Sequence, residues 1–252
     1  MEDDQIIATV SKKGRISISE LLASVEPAER AVAELRVLRL VKRGVLRLES
    51  SGQGMVLTTG ASQGREPIPF ESAEVALVAT MPLGAHSLSG RPRCYIDLLD
   101  ALNTLIAGAK RELRISSPFA DPETIALLRP SFRRAAGGGV MVKFLTRSAR
   151  DRQLLAALKS LYDTYAKLGA PDKFSLRCYE ESVAGLLVEA VHAKVVISDD
   201  DMAYVGSGEL RKHSLTADVE IGVLLRGAVV KQLVDLFDAV WEKAKSIKLA
   251  NF

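Results

Sequence analysis

His192 and Lys194 stand two residues apart in the stretch Val191–Leu225, VHAKVVISDDDMAYVGSGELRKHSLTADVEIGVLL. Four residues separate Lys194 from Asp199, and six more separate Asp199 from Gly206-Ser207. These residue types have a chemistry in common. An imidazole is a good nucleophile at neutral pH when its other nitrogen is held by a partner. A lysine beside it supplies a fixed positive charge suited to a phosphate oxygen. A serine hydroxyl can add a hydrogen bond to the same group.

The surrounding residues say how such a set is positioned. Val191, Ala193, Val195 and Ile197 alternate with His192, Lys194, Val196 and Ser198, which is the period of a strand. His192 and Lys194 then share one side, and the wholly apolar other side is free to enter a core. Ser198, Asp199, Asp200 and Asp201 bound this strand as a turn. Met202–Val205 reads as a second strand ending at Gly206, and Val219–Leu225 as a third, with Glu220 near its start.

The spacing H-x-K-x4-D-x6-G-S resembles the signature of the phospholipase D superfamily. The resemblance implies that one histidine attacks a phosphodiester and forms a phosphohistidine, while a second histidine protonates the leaving group. It implies no metal and no cofactor. The catalytic set it implies here is His192, Lys194, Asp199, Ser207 and Glu220, with Glu220 orienting the histidine. The chain departs from the family pattern at one place: Glu209 stands where Asn is usual, two residues after the serine. An ionised carboxylate aimed inward there repels a phosphate. Glu209 therefore turns outward, is neutralised by a cation such as Arg211, or marks an altered site. With Ser117 and Lys143 it is a candidate substrate contact; Ser116 and Arg147 lie beside these on the strands that border the cleft in the family.

Composition excludes little. The chain has 252 residues, 48% hydrophobic and 26% charged, as in an ordinary globular protein. A net charge of +3 means that any nucleic-acid surface must be a local patch. Cys94 and Cys178 are consistent with a reducing cytoplasmic setting and leave one disulfide open. No apolar run approaches the ~20 residues that span a bilayer, so no membrane partner is expected. The acidic start MEDDQ is unlike a signal peptide. With three histidines and no C-x-x-C, no structural zinc is expected either.

Residues 1–60 read as a small winged helix-turn-helix domain. Gln5–Val10 is a first helix, Ser17-Ile-Ser-Glu20 has the spacing of a capping box opening a second, and Pro27 opens a third that runs to Gly44. Val45–Leu48 and Met55–Thr58 form a hairpin about Ser51–Gly54. On the third helix Arg36, Arg39 and Arg43 fall on one stripe, a candidate nucleic-acid contact; an ordinary solvated face or a dimerisation role is the alternative.

Residues 61–71 read as a linker, and 72–252 as an α/β domain. Val75–Thr80, Glu112–Ser116, Val140–Leu145 and Phe174–Tyr179 read as strands. Tyr95–Ala109, Pro122–Ala136, Arg152–Gly169 and Val229–Ala244 read as helices, the second of them broken or kinked near Pro130. Gly84–Arg93, with His86, reads as a loop. This order resembles one complete phospholipase D repeat over residues 72–250, a layered α/β/α domain with a mixed sheet. Only one signature is present, and neither His86 nor His213 has lysine two residues on. The resemblance thus implies a homodimer in which each chain lends one histidine to a shared site.

Three functions follow. The first is a metal-independent phosphodiesterase, a nuclease on DNA or RNA, since single-signature members of the family are typically nucleases. The layout also resembles phospholipase D-like proteins of bacterial restriction and phage-defence systems such as DISARM, which implies partner proteins of a defence or repair system. The second is a DNA-binding regulator similar to the TrmB-like proteins, whose phospholipase D-like domain is not catalytic; Glu209 favours it, and the intact His192 and Lys194 oppose it. The third, a lipid-acting phospholipase, lacks any amphipathic membrane helix or lipid-anchor motif.

Overall fold

Contacts divide the chain into two units, Met1–Pro67 and Ile68–Phe252. The structure is a computed structural model that describes residues 1–51, 54–60, 75–82, 95–183 and 186–249. The expected linker at 61–71, the Gly84–Arg93 loop with His86, and Cys94 lie outside the described residues.

In the first unit, α1 (Asp3–Lys13) opens where the Glu2 N–H donates to the Gln5 side chain at 2.8 Å. A short β1 (Ile16–Ser17) leads into α2 (Ile18–Ala23), and the Ser17 hydroxyl accepts the Glu20 N–H at 3.1 Å, as the S-x-x-E spacing predicts. A 3-10 turn at Pro27–Glu29 precedes α3 (Arg30–Lys42). Past that helix Gly44 takes φ 73°, a left-handed conformation that glycine adopts without steric cost. Strands β2 (Leu46–Ser51) and β3 (Gly54–Thr59) form the hairpin, in an antiparallel sheet of order β1-β3-β2. Ile6, Val10, Ile16, Leu21, Val37, Leu40, Leu46 and Leu57 make its core. Helix, strand, two helices and hairpin follow one another in this unit.

The second unit begins with β4 (Val75–Thr80), β5 (Ile96–Asp97) and α4 (Leu98–Gly108), whose N-terminal cap is Asp97. The predicted helix from Tyr95 thus starts three residues later, because Ile96 and Asp97 pair with β4. Next come β6 (Glu112–Ser116), α5 (Pro122–Gly137), β7 (Met141–Thr146), α6 (Arg152–Lys167) and β8 (Phe174–Cys178). Helix α5 runs through Pro130 without a break. Pro130 is exposed, so a carbonyl deprived of its helical donor there is within reach of water.

Strands β9 (Glu180–Val183) and β10 (Leu186–Ala190) form a separate hairpin that sequence reading passed over. Then follow β11 (Lys194–Ser198), β12 (Met202–Gly206), α7 (Lys212–Thr216), β13 (Glu220–Arg226), α8 (Ala228–Lys243) and β14 (Lys245–Ile247).

Among the described residues one nine-stranded mixed sheet carries the unit, in the order β14-β8-β7-β6-β11-β12-β13-β4-β5. Strands β6, β7 and β8 are parallel, while β11 runs antiparallel to β6 and begins a meander through β12 and β13 to β4. Val191, Val195 and Ile197 pack with Ala203 against Val230, Phe237 and Trp241 of α8. Helix α4 contacts β11 and β12, and α5 lies between α4 and α6. This is the α/β/α layering expected from the alternation of strands and helices.

The antiparallel register gathers one set of strand ends. The end of β6 at Ser116, the start of β11 at Lys194, the end of β12 at Gly206, the start of β13 at Glu220 and the end of β4 at Thr80 lie along one edge.

Candidate active site

Lys194 is the first residue of β11 and pairs with Gly206 of β12. His192 lies just before the strand rather than in it, so the predicted strand is shorter at its start. The backbone between the two residues is fixed from the neighbouring strand: the buried Ser116 hydroxyl donates to the Ala193 carbonyl at 2.9 Å. His192 is exposed, and its Nδ1 is 2.8 Å from the Lys194 Nζ. The same Nζ is 3.5 Å from Nε2, so the ammonium lies beside the imidazole ring. Lys194 also donates to the His192 carbonyl at 3.2 Å.

Glu209 completes this group. Its carboxylate is 3.4 Å from the Lys194 Nζ, and the two side chains are only 15% and 13% exposed. The cation beside Glu209 is therefore Lys194 and not the expected Arg211, whose guanidinium stacks on Phe119 at 4.2 Å. The loop that presents Glu209 is clamped on both sides. Gly208 donates its N–H to the Tyr204 hydroxyl at 3.1 Å, and Leu210 donates to the Ser117 hydroxyl at 3.4 Å. A side chain at Gly208 would run into Leu98 of α4, and one at Gly206 would strike the Tyr204 ring. Burial pushes the Tyr204 phenol up to about 12, the backbone N–H of Gly208 opposing the rise and the Glu220 charge adding to it. Tyr204 is thus a neutral hydroxyl that props the loop. Its role becomes visible only once strand pairing places Gly206 opposite Gly222, leaving room for the ring.

Ser207 and Glu220 form a second pair. The Ser207 hydroxyl donates to the buried Glu220 carboxylate and accepts the Ile221 N–H at 3.1 Å. Glu220 is thus at the predicted edge, but here it holds Ser207. Among the described residues, the hydrogen bonds of the His192 side chain are to Lys194 alone.

Three expected site residues are taken up in other contacts. Asp199 is at the other end of β11, where its carboxylate accepts the backbone N–H groups of Lys110 (3.0 Å), Arg111 (2.8 Å) and Glu112 (2.9 Å). Burial disfavours its charge, but those donors and the Arg111 guanidinium prevail and hold its carboxyl below the usual range. Asp199 also takes φ 53°, so it serves as a turn residue that ties β6 to the β11–β12 connection. Lys143 pairs with Arg114 across β6 and β7, two positions before Ser116. It pairs with the Glu112 carboxylate at 3.0 Å and donates to Asp238 at 3.1 Å, inside a network that also holds the buried Arg114. Ser117 is buried; its hydroxyl donates to the Phe119 carbonyl and accepts the Leu210 N–H.

In the first unit, Arg36 is buried, donates to the Met1 carbonyl at 2.9 Å and pairs with Glu2. Arg39 pairs with Asp3 at 3.6 Å. The acidic start of α1 occupies this part of the stripe, and Arg43 is the exposed member. Among the described residues no group of three or more His, Cys, Asp or Glu could hold a metal ion, and no helix is long and apolar enough to cross a membrane.

A family model described as "Cardiolipin synthase, PLD-like domain" matches residues 102–241, more than half of the chain. Among solved structures, NucT from Helicobacter pylori is similar with a TM-score of 0.52 at 13% identity, over 69% of this chain and 100% of that one. Nuc from Salmonella typhimurium, a phospholipase D family member, has a TM-score of 0.47 at 19% identity, over 69% of this chain and 97% of that one. TrmBL2, an archaeal chromatin protein, has a TM-score of 0.44 at 17% identity, over 97% of this chain and 93% of that one. No curated protein matches by sequence.

Proposed function

The chain belongs to the phospholipase D superfamily, and on that premise we propose that it is a nuclease that cleaves phosphodiesters of DNA or RNA through His192. The observation that carries the proposal is the His192–Lys194 pair at the mouth of β11, with the backbone between them held by Ser116. When a phosphate enters, Lys194 turns from the ring to a non-bridging oxygen. A ring nitrogen then attacks phosphorus, forming an N–P bond as the P–O bond to the leaving group breaks. Glu220, which accepts the Ser207 hydroxyl, is the carboxylate assigned in this reading to the positive charge that the histidine acquires.

The leaving oxygen needs a proton, and one chain supplies one signature histidine. A second copy related by a two-fold axis supplies the other His192, protonated, as general acid; in the next step that ring takes a proton from the water that attacks phosphorus as the N–P bond breaks.

A second reading has one specific observation in its favour. Glu209 already occupies the Lys194 ammonium, as it would in a regulatory domain that binds without cleaving. Labelled single- and double-stranded DNA and RNA, each incubated with the purified protein in excess EDTA, separate the two. The nuclease cuts at least one of them and loses that activity in His192→Ala. The regulator retains DNA without cutting any.

A further inference from the structure

We infer that Glu209 is an internal rival of the substrate: a positioning residue that holds Lys194 in a resting arrangement until a phosphate displaces it. The inference rests on the reading of His192 and Lys194 as the phosphate site. A carboxylate 3.4 Å from an ammonium, with both side chains largely withdrawn from water, occupies the charge that an incoming phosphate oxygen needs. The placement of Glu209 is built rather than incidental. Its neighbours on both sides are fixed, Gly208 by the buried Tyr204 hydroxyl and Leu210 by the buried Ser117 hydroxyl. The Leu210 carbonyl also accepts the Asp121 N–H at 2.9 Å, tying the loop to the start of α5.

Lys194 links this carboxylate to the nucleophile. The same ammonium contacts Glu209 and lies 2.8 Å from the His192 Nδ1, so the resting site holds its cation against both the carboxylate and the imidazole ring. A phosphate that draws Lys194 away breaks both contacts at once. Binding of the correct anion and release of the nucleophile become a single event. Any anion must also compete with Glu209, which favours ligands that other contacts, such as a polynucleotide backbone, help to hold. An uncharged amide at the same position can still form hydrogen bonds but exerts no such competition.

The test is titration of the full-length protein with inorganic phosphate, followed by calorimetry at neutral pH, alongside steady-state hydrolysis of a chromogenic phosphodiester. Glu209→Gln and Glu209→Asn should each bind phosphate about tenfold more tightly than wild type and lower KM by more than they change kcat. Glu209→Asp should retain the weak binding of wild type. Lys194→Ala should bind weakly, and adding Glu209→Gln to it should restore little. Equal or weaker binding in both amide variants, with dependence on Lys194 intact, overturns the role of Glu209 alone. Phosphate binding that ignores Lys194 overturns the site reading and this inference with it.

Discussion

The Ser116 hydroxyl at the end of β6 donates at 2.9 Å to the carbonyl of Ala193, the residue between His192 and Lys194. Since Ser116 also pairs with Val195 across the ladder, the start of β11 is held by main chain and side chain together. Ser116→Ala removes one hydrogen bond, worth about 1 kcal/mol in stability. A small displacement of catalytic groups costs more in rate, on the order of ten- to a hundredfold. The variant should therefore lose phosphodiester hydrolysis well beyond its loss in unfolding midpoint. Parallel losses in the two would assign Ser116 to the fold alone.

Arg36 and Arg43 share a stripe in sequence and part company in the structure. Arg36 is buried against Met1 and Glu2, whereas Arg43 is exposed. Arg36→Ala leaves the Met1 carbonyl without this donor and should destabilise the N-terminal unit by about 1–3 kcal/mol. Arg43→Ala should leave the melting temperature unchanged within about 0.5 kcal/mol, as for other surface substitutions. If nucleic acid binds this unit, the loss of affinity should follow Arg43, with a shallower salt dependence. Thermal melts and salt-titrated binding of the two variants check both points.

Asp199 and Asp238 set an acid limit. In each, burial opposes the charge, but hydrogen bonds and neighbouring cations outweigh it and leave the folded carboxyl below its ordinary value. A depressed folded value gives stability that is fully present above the unfolded value of about 3.9 and is lost as pH falls through the folded value. Urea midpoints should thus hold from neutrality down to roughly pH 5 and fall below about pH 4. Asp199→Asn should be less stable than wild type at neutral pH and show a flatter acid limb. An acid limb identical to that of wild type would contradict this account of Asp199.

Much of the fold was legible because local signals agreed with the global pattern. Ser17 with Glu20, Pro27 and Gly44 marked helix ends that the structure shows within a few residues. The apolar alternation of β11 identified the face that packs on α8. Other features depend on partners distant in sequence. Nothing near Lys143 announces Asp238, and the acidic residues that take up Arg36 and Arg39 come from another helix. Asp199 was misplaced for a different reason. Five residues of strand at about 3.3 Å each put it roughly 16 Å from Lys194, so strand geometry already separated it from the chemistry that the signature suggested. The role of Tyr204 could not be read locally, because the glycines that make room for it come from two strands.

The central claim is that His192 attacks a phosphodiester without a metal. Its most direct test is hydrolysis of bis(p-nitrophenyl) phosphate in excess EDTA by wild type and by His192→Ala, with both shown to be folded by circular dichroism. The account predicts turnover by wild type that EDTA does not diminish, and a loss of at least about a thousandfold in the variant, the scale on which removal of a catalytic nucleophile acts. Equal rates in the two proteins, or wild-type turnover that appears only when a divalent metal is added, would contradict it.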